Sequence, residues 1–361
     1  MANGSLSHGY PGFMVFLRRE FMEVLYARLP GKESRVLTNK KVVGLTEDDS
    51  CVTVSCADGS VFTGDIVVGC DGVHSAVRGF AFEGAGSKTP FKSEYRGLFG
   101  YGPRLDGVPP CDLTEVHDKD VNFMILSTHD KSFWLVTQLK DKAAPKGGKY
   151  SAEDAQALAE RYADHPVAWG GKVTFGDLWR TRSSTNTGLY DYMEGVAGRW
   201  YRGRVVTLGD AAHEVRLESR DGQILGILGP GTNVACGQMT PNVGMAGNNA
   251  FESAASITNK LHALLREKPN PTTDDLQAAF AGYQKERERR AAFCTWLSGR
   301  YCRWASWRTW YGRQIQSRIF PLLGDRFLVT YLLSPWIRNS IKLNFVEEEH
   351  LPAGAVPWKY R

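Results

Sequence analysis

The chain has 361 residues, 42% of them hydrophobic, enough to bury the cores of two domains and too much for a disordered tail or a small disulfide scaffold. A net charge of +5, with acids nearly as numerous as bases, gives no bulk signal for a nucleic-acid partner. Seven cysteines, at 51, 56, 70, 111, 236, 294 and 302, form no C-x-x-C pair or zinc spacing and read as buried thiols in a reducing compartment.

MANGSLSHGYPGF at the start has no charged region followed by an apolar stretch, so a secretory signal is not expected. No run reaches the roughly 18 apolar residues of a membrane span. Residues 14 to 30, MVFLRREFMEVLYARLP, place Phe16, Leu17, Phe21, Val24, Leu25 and Leu29 at helical spacings and stop at Pro30 and Gly31, predicting a packed amphipathic helix. CVTVSCADGSVFT alternates around a hairpin signal at Ala57 to Ser60, and DIVVG is a short apolar run suited to a buried parallel strand. From Glu94 to Arg182, strand-like runs such as VNFMIL and SFWLVTQL alternate with Pro, Gly and Lys-rich turns, and a helix opens behind an N-cap at Ser151. GRVVTLGD, residues 203 to 210, returns to the buried-strand type, AFESAASITNKLHALLREK is a long helix closed by Pro269, and two further helical patterns follow Thr272. The expected class is α/β: a dinucleotide-binding domain in two pieces, 1–93 and 201–270, an inserted mixed β-sheet domain, 94–200, and a helical C-terminus, 271–361.

Two strand ends carry the chemistry. In DIVVGCDGVHSAVR a strand delivers Asp71, Gly72 allows a tight turn or a close backbone approach, and a helix starting near Val73 carries Arg78. Taken alone, Asp71 reads equally as a helix cap on a surface turn. GRVVTLGDAAH repeats the design with Gly209 and Asp210, and MTPNVGMAGNNA supplies Pro241, Gly244 and Gly247 before a helix whose N–H groups suit a pyrophosphate.

This pair of motifs resembles the two internal fingerprints of FAD-dependent monooxygenases of the aromatic-hydroxylase type, the group that includes p-hydroxybenzoate hydroxylase. HGYPGFMVFLRREF at one end and LNFVEEEHLPAGAVPWKY at the other extend the likeness over nearly the whole chain, toward the fungal branch that epoxidises or hydroxylates indole-diterpene and meroterpenoid intermediates. The resemblance implies that Asp210 hydrogen-bonds the FAD ribityl chain, and that Pro241, Gly244, Gly247 and Asn248 line pyrophosphate and isoalloxazine. It also implies that Asp71, Gly72 and Arg78 serve FAD and NADPH, and that Arg19 contacts FAD from the helix behind it. An exposed helix charge is the alternative for Arg19. Ala246 stands where the family has a second glycine, and His213 reads as structural, because this chemistry belongs mainly to the cofactor.

Such enzymes open on a G-x-G-x-x-G strand-turn-helix with an acidic ribose ligand about 20 residues on, and no such unit precedes Phe16. The chain is therefore expected to be an N-terminally truncated member. GILGPGTN, 226 to 233, is too weak a phosphate loop to replace the unit. Removing Val215 to Gln238 restores the family spacing without a gap. Twenty-four codons that begin GT, can end CAG and can contain CTAAC read as a translated intron, with a surface loop as the rival.

Residues 285 to 318 carry nine Lys or Arg against two Glu, interleaved with four Trp and two Tyr. A peripheral membrane surface, a stacking RNA site and a helix packing Trp against the flavin domain with Arg on its solvated face all fit that composition. RIFPLLGDRFLVTYLLSPWI, broken by Pro321, Gly324, Asp325 and Arg326, reads as interfacial or buried. The function expected is NAD(P)H-using, FAD-dependent monooxygenation of a small hydrophobic secondary-metabolite intermediate with O2. The expected location is intracellular, cytoplasmic or peripheral on an internal membrane, with no nucleic acid partner. The alternatives are an inactive fragment of such an enzyme or a non-catalytic membrane-associated protein. No general acid or base and no metal site stands out.

Overall fold

The computed structural model describes residue 15 and residues 17–72, 74–83, 93–141, 150–184, 187–192, 199–212, 245–327 and 337–347. Helix α1 (Arg18–Arg28) opens it and ends where Gly31 takes a left-handed φ of +64°. The packed helix expected here is a helix but not a packed one: it buries no residue, and Met22, Val24, Leu25, Tyr26 and Leu29 are exposed. Helical spacing reports that a face is apolar, not what covers it. Among the contacts that tie α1 down are Phe21 edge-on to Phe251 at 5.8 Å and Glu20 to Lys131 at 3.6 Å.

Strands β1 (Val42–Glu47), β2 (Val52–Cys56) and β3 (Val61–Gly64) form an antiparallel meander, with Gly59 at φ +82° in the expected hairpin turn. Strand β4 (Val67–Gly69) follows, then a single helical turn, α2 (Ala76–Arg78).

Next come β5 (Tyr95–Pro103), β6 (Leu113–Asp118), β7 (Val121–Ser127) and β8 (Lys131–Leu139), helices α3 (Ala152–Arg161) and α4 (Phe175–Arg180), and β9 (Gly188–Asp191). Their sheet runs β6-β7-β8-β5-β9. The inserted sheet was expected to be mixed; its described strands pair antiparallel throughout, because β6, β7 and β8 are joined by tight hairpins that cannot make a parallel crossover. One face packs Leu98, Phe123, Ile125, Trp134 and Val136 against Leu158, Phe175 and Leu178 of the two helices. Ser151 and Thr174 cap those helices in reciprocal boxes with Asp154 and Asp177.

The chain then returns through β10 (Tyr201–Arg202) and β11 (Val205–Thr207), which closes a sheet of order β10-β11-β4. Helices α5 (Met245–Glu267) and α6 (Thr273–Ala305) pack over it in a core of Trp200, Val206, Leu208, Ile257, Phe280 and Tyr283. Helices α7 (Trp310–Gln314) and α8 (Phe320–Phe327) follow, joined by a π-helical turn. Pro321 does not break this run: the π-helical turn Ile315–Ile319 directly before it alters the hydrogen-bond spacing where Pro321 offers no N–H. Cys56, Cys294 and Cys302 are buried as expected, whereas Cys70 and Cys111 are exposed. Cys236 lies outside the described residues.

Candidate functional site

The site is organised by one pairing. Strands β4 and β11 run parallel in the register Val67 with Val205, Val68 with Val206 and Gly69 with Thr207, and the Leu208 N–H continues the ladder to the Gly69 carbonyl at 2.9 Å. Asp71 and Asp210 therefore leave the same carboxyl edge on adjacent strands. Their approach is set by small residues. A Cβ on Gly69 would lie 2.9 Å from Val77 Cγ1, so only glycine lets the α2 turn close down on the strand end.

Asp71 accepts from the Ser75 hydroxyl and from the Val77 N–H at 3.1 Å, while the Ser75 Oγ accepts from the Arg78 N–H at 3.0 Å. The capping role held open from the sequence is thus present in the structure. Gly72 turns the chain at φ +78°, and a Cβ there would meet no atom within 4 Å. Arg78 points inward: it is 2% exposed and donates through Nη1 to the Ala211 carbonyl at 3.1 Å. It joins the two motifs by holding the carbonyl of the residue directly after Asp210.

Gly209 takes φ +57°, and a Cβ on it would sit 3.3 Å from the Ala250 Cβ, so the Gly209–Ala211 turn rests on the second turn of α5. Asp210 is exposed but ringed by neighbouring chain. That partial burial raises its carboxyl above the ordinary value, and the positive charge of Arg18 pulls the other way. Arg19 lies elsewhere, 82% exposed and paired with Glu23 at 2.9 Å on its own helix. At the start of α5, Gly247 and Asn248 are exposed, and a Cβ on Gly247 would meet nothing within 4 Å. Pro241, Gly244, His213, Val73 and residues 215–238 lie outside the described residues.

Sequence reasoning missed Arg18 and, behind α5, the α6 residues Tyr283 and Arg287. The Tyr283 hydroxyl donates to the Thr207 carbonyl at 3.3 Å, and Arg287 is fully buried against Asn249 and Glu252. The signal was there, since these residues stand four apart on one helix face, but the Arg-rich composition around them reads as surface.

The inserted sheet contributes an apolar wall. On the face away from α3 and α4, Phe99 meets Tyr190 edge-on at 5.4 Å and Tyr101 stacks on Phe133 at 5.9 Å. Cross-strand pairing sets Leu135 beside Phe99 and Met124 beside Leu135. Farther along that face, Tyr301 of α6 donates to Glu115, whose Oε2 lies 3.6 Å from His117 Nε2. Among the described residues no cluster of His, Cys, Asp or Glu could hold a metal ion.

A family model described as an FAD binding domain matches residues 6–218. The FAD-dependent monooxygenase srdH of Neurospora crassa is 30% identical over 98% of this chain and 77% of its own length. DEP2 of Alternaria brassicicola, also an FAD-dependent monooxygenase, is 28% identical over 95% of this chain and 62% of its own. The chain spans about six-tenths of the length of several such relatives, esdpE of Penicillium shearii among them at 61%. Among solved structures, HpxO of Klebsiella pneumoniae complexed with FAD and uric acid superposes with a TM-score of 0.64 at 18% identity, covering 88% of this chain and 70% of that one. A salicylate hydroxylase substrate complex gives 0.58 at 19% identity, covering 89% and 74%. With more than half of its length matched by the FAD binding domain and a 30% identical relative covered over most of its own length, the chain belongs to the family of FAD-dependent monooxygenases.

Proposed function

We propose that the chain carries the flavin-facing and substrate-facing parts of an NADPH-using monooxygenase that epoxidises or hydroxylates a lipophilic secondary-metabolite intermediate with O2. The parallel register of β4 and β11 carries the reading, because it sends the Asp71–Gly72 and Gly209–Asp210 turns out of one edge, the second of them seated on α5.

The residues fit a flavin dinucleotide in kind. Asp210 offers a carboxylate to ribityl hydroxyls. The first N–H groups of α5, with Gly247 and Asn248, and with Pro241 and Gly244 before them, suit a pyrophosphate. Gly72 and Gly247 leave room for close approach, since a side chain at either would meet no protein atom within 4 Å. Arg78 and Asp71 act from behind: Arg78 holds the Ala211 carbonyl, Asp71 caps the α2 turn, and both keep the Asp210 turn and the strand end in place. Arg18, whose positive charge acts on the Asp210 carboxyl, is a candidate for the role expected of Arg19. When bound, FAD supplies the redox and oxygen chemistry. The chain binds it, orients the substrate and excludes water, and the Phe99, Tyr101, Phe133 and Tyr190 wall suits a prenyl-bearing or aromatic substrate.

Titrating the purified chain with FAD tests this. The wild type is expected to take up FAD and oxidise NADPH, and Asp210→Ala to raise the Kd at least about tenfold, equivalent to about 1.4 kcal/mol. Asp71→Asn, which loses cap contacts, should lower stability more than affinity. Wild-type chain that takes up no FAD, or an Asp210→Ala chain that binds it normally, overturns the reading.

A second feature supports contact with an internal membrane during this work. Trp310 is 79% and Leu322 87% exposed, with Arg313 and Arg318 exposed between them. No described helix is long and apolar enough to cross a bilayer, so the contact proposed is peripheral. The family match ends at residue 218, inside the segment 215–238, which supports treating that segment as inserted.

A further inference from the structure

Helix α6 reaches both sides of the proposed flavin cradle from behind. Tyr283 donates to the carbonyl of Thr207, the last residue of β11 and three before Asp210. One turn later Arg287, with no exposed surface, spreads its guanidinium over a single turn of α5. It donates to Glu252 Oε2 at 2.5 Å, to the Asn249 carbonyl at 3.3 Å and its side-chain Oδ1, and to Ser253 Oγ at 3.4 Å. Asn249 is the fifth residue of α5, only about 6 Å of helical rise from its start.

The acceptor side is fixed as well. Glu252 accepts from Arg290 through both oxygens, at 2.5 and 2.6 Å, and from the Ser340 hydroxyl at 3.2 Å. A buried ion pair of this kind adds little stability over a well-packed apolar replacement. It does impose a register: a planar guanidinium with its donors in a fixed fork meets these three side chains in one relative placement of the helices. A slide of α5 by a fraction of a turn would break the bonds to Asn249 and Glu252 together.

We propose that Arg287, with Tyr283 one turn before it, is a positioning residue that sets the gap between the Asp210 turn and the first turn of α5. The inference rests on the FAD reading above. It gives a cofactor-directed duty to a helix beyond residue 218, where the family match ends.

Arg287→Met, Arg287→Lys and Tyr283→Phe are compared in the full chain with Leu276→Ala, which empties an apolar position in the core that the same helix shares with β11 and removes no hydrogen bond to either motif. FAD Kd is measured at a temperature where all are folded, and amide exchange is followed in residues 205–212 and 245–252. Arg287→Met is expected to raise the Kd at least tenfold and to speed exchange in 245–252. Arg287→Lys should recover part of the affinity, and Tyr283→Phe should loosen 205–212. Leu276→Ala should lower Tm while leaving Kd within twofold. If Kd simply tracks Tm across the four variants, or Arg287→Lys and Tyr283→Phe bind and exchange like wild type, the positioning role is overturned. Wild-type chain that takes up no FAD brings down the cofactor reading, and this role with it.

Discussion

Asp210 shows how a carboxylate is held at a cost to the fold. Neighbouring chain raises its carboxyl above the ordinary value of 3.8, with Arg18 opposing. A carboxylate whose folded value is raised binds its proton more tightly in the native state than in the unfolded one. The native state is therefore favoured while the group is protonated, and stability falls as pH rises from 3.8 through the folded value. Asp210→Asn, which cannot ionise, should unfold at a higher temperature than wild type at pH 7 and should flatten the stability curve between pH 4 and 7, while its FAD affinity drops. Thermal melts across that range check this, and equal pH slopes in the two proteins would refute it. Arg18 and Arg19 mark the limit of reading single residues. They are adjacent, yet about 100° apart around the helix, and the charge of one is felt at Asp210 while the other pairs with Glu23 in solvent.

Elements were legible where their signals are local. The hairpin at Ala57 to Ser60, the capped helix α3 and the strands β7 and β8 all follow from turn chemistry, caps and alternation, whereas the six-residue α4 is too short for a helical period to mark it. The covering of a face is not a local property, which is why α1 was expected to be packed and is bare, and why Arg287 lies fully buried in a segment whose composition suggests surface. Farther along the same Arg and Trp rich stretch the surface reading fits. Trp310, Ile319 and Leu322 are exposed, Arg313 lies over the Trp307 ring at 4.8 Å, and no acidic residue occurs between Arg300 and Arg318. Exposed Trp and Leu beside arginine are what the headgroup zone of an anionic bilayer accommodates. The chain should therefore sediment with vesicles containing phosphatidylserine and not with neutral phosphatidylcholine vesicles. Leu322→Asp combined with Trp310→Ser should abolish that binding and leave FAD uptake unchanged. Equal recovery of wild type and the double variant would remove these helices from any membrane contact.

On the scale of the molecule, α6 is a strut of 33 residues, about 50 Å long. Its first half shares a core with β11 through Leu276, Phe280 and Tyr283. Its last turns belong to the inserted sheet: Tyr301 donates to Glu115, Arg303 to Glu94 at 3.0 Å, Tyr95 meets Ser306 at 3.1 Å, and the Asp120 N–H donates to the Ser306 carbonyl at 2.8 Å. The sequence marks two helical patterns beyond Thr272 but cannot say that the first runs on as one helix to Ala305 or that its two ends serve different sheets, because each end looks equally amphipathic from within. If α6 transmits order between the β10-β11-β4 sheet and the inserted sheet, breaking it at the middle should uncouple them without destroying either. Ala291 is fully buried at that midpoint. Ala291→Pro removes one helical hydrogen bond and forces a kink, at about 3 kcal/mol or more. Calorimetry should then resolve the unfolding into two transitions, with the inserted sheet, whose core with α3 and α4 does not involve α6, melting at the higher temperature. A single transition merely displaced downward would overturn the idea that α6 carries the coupling.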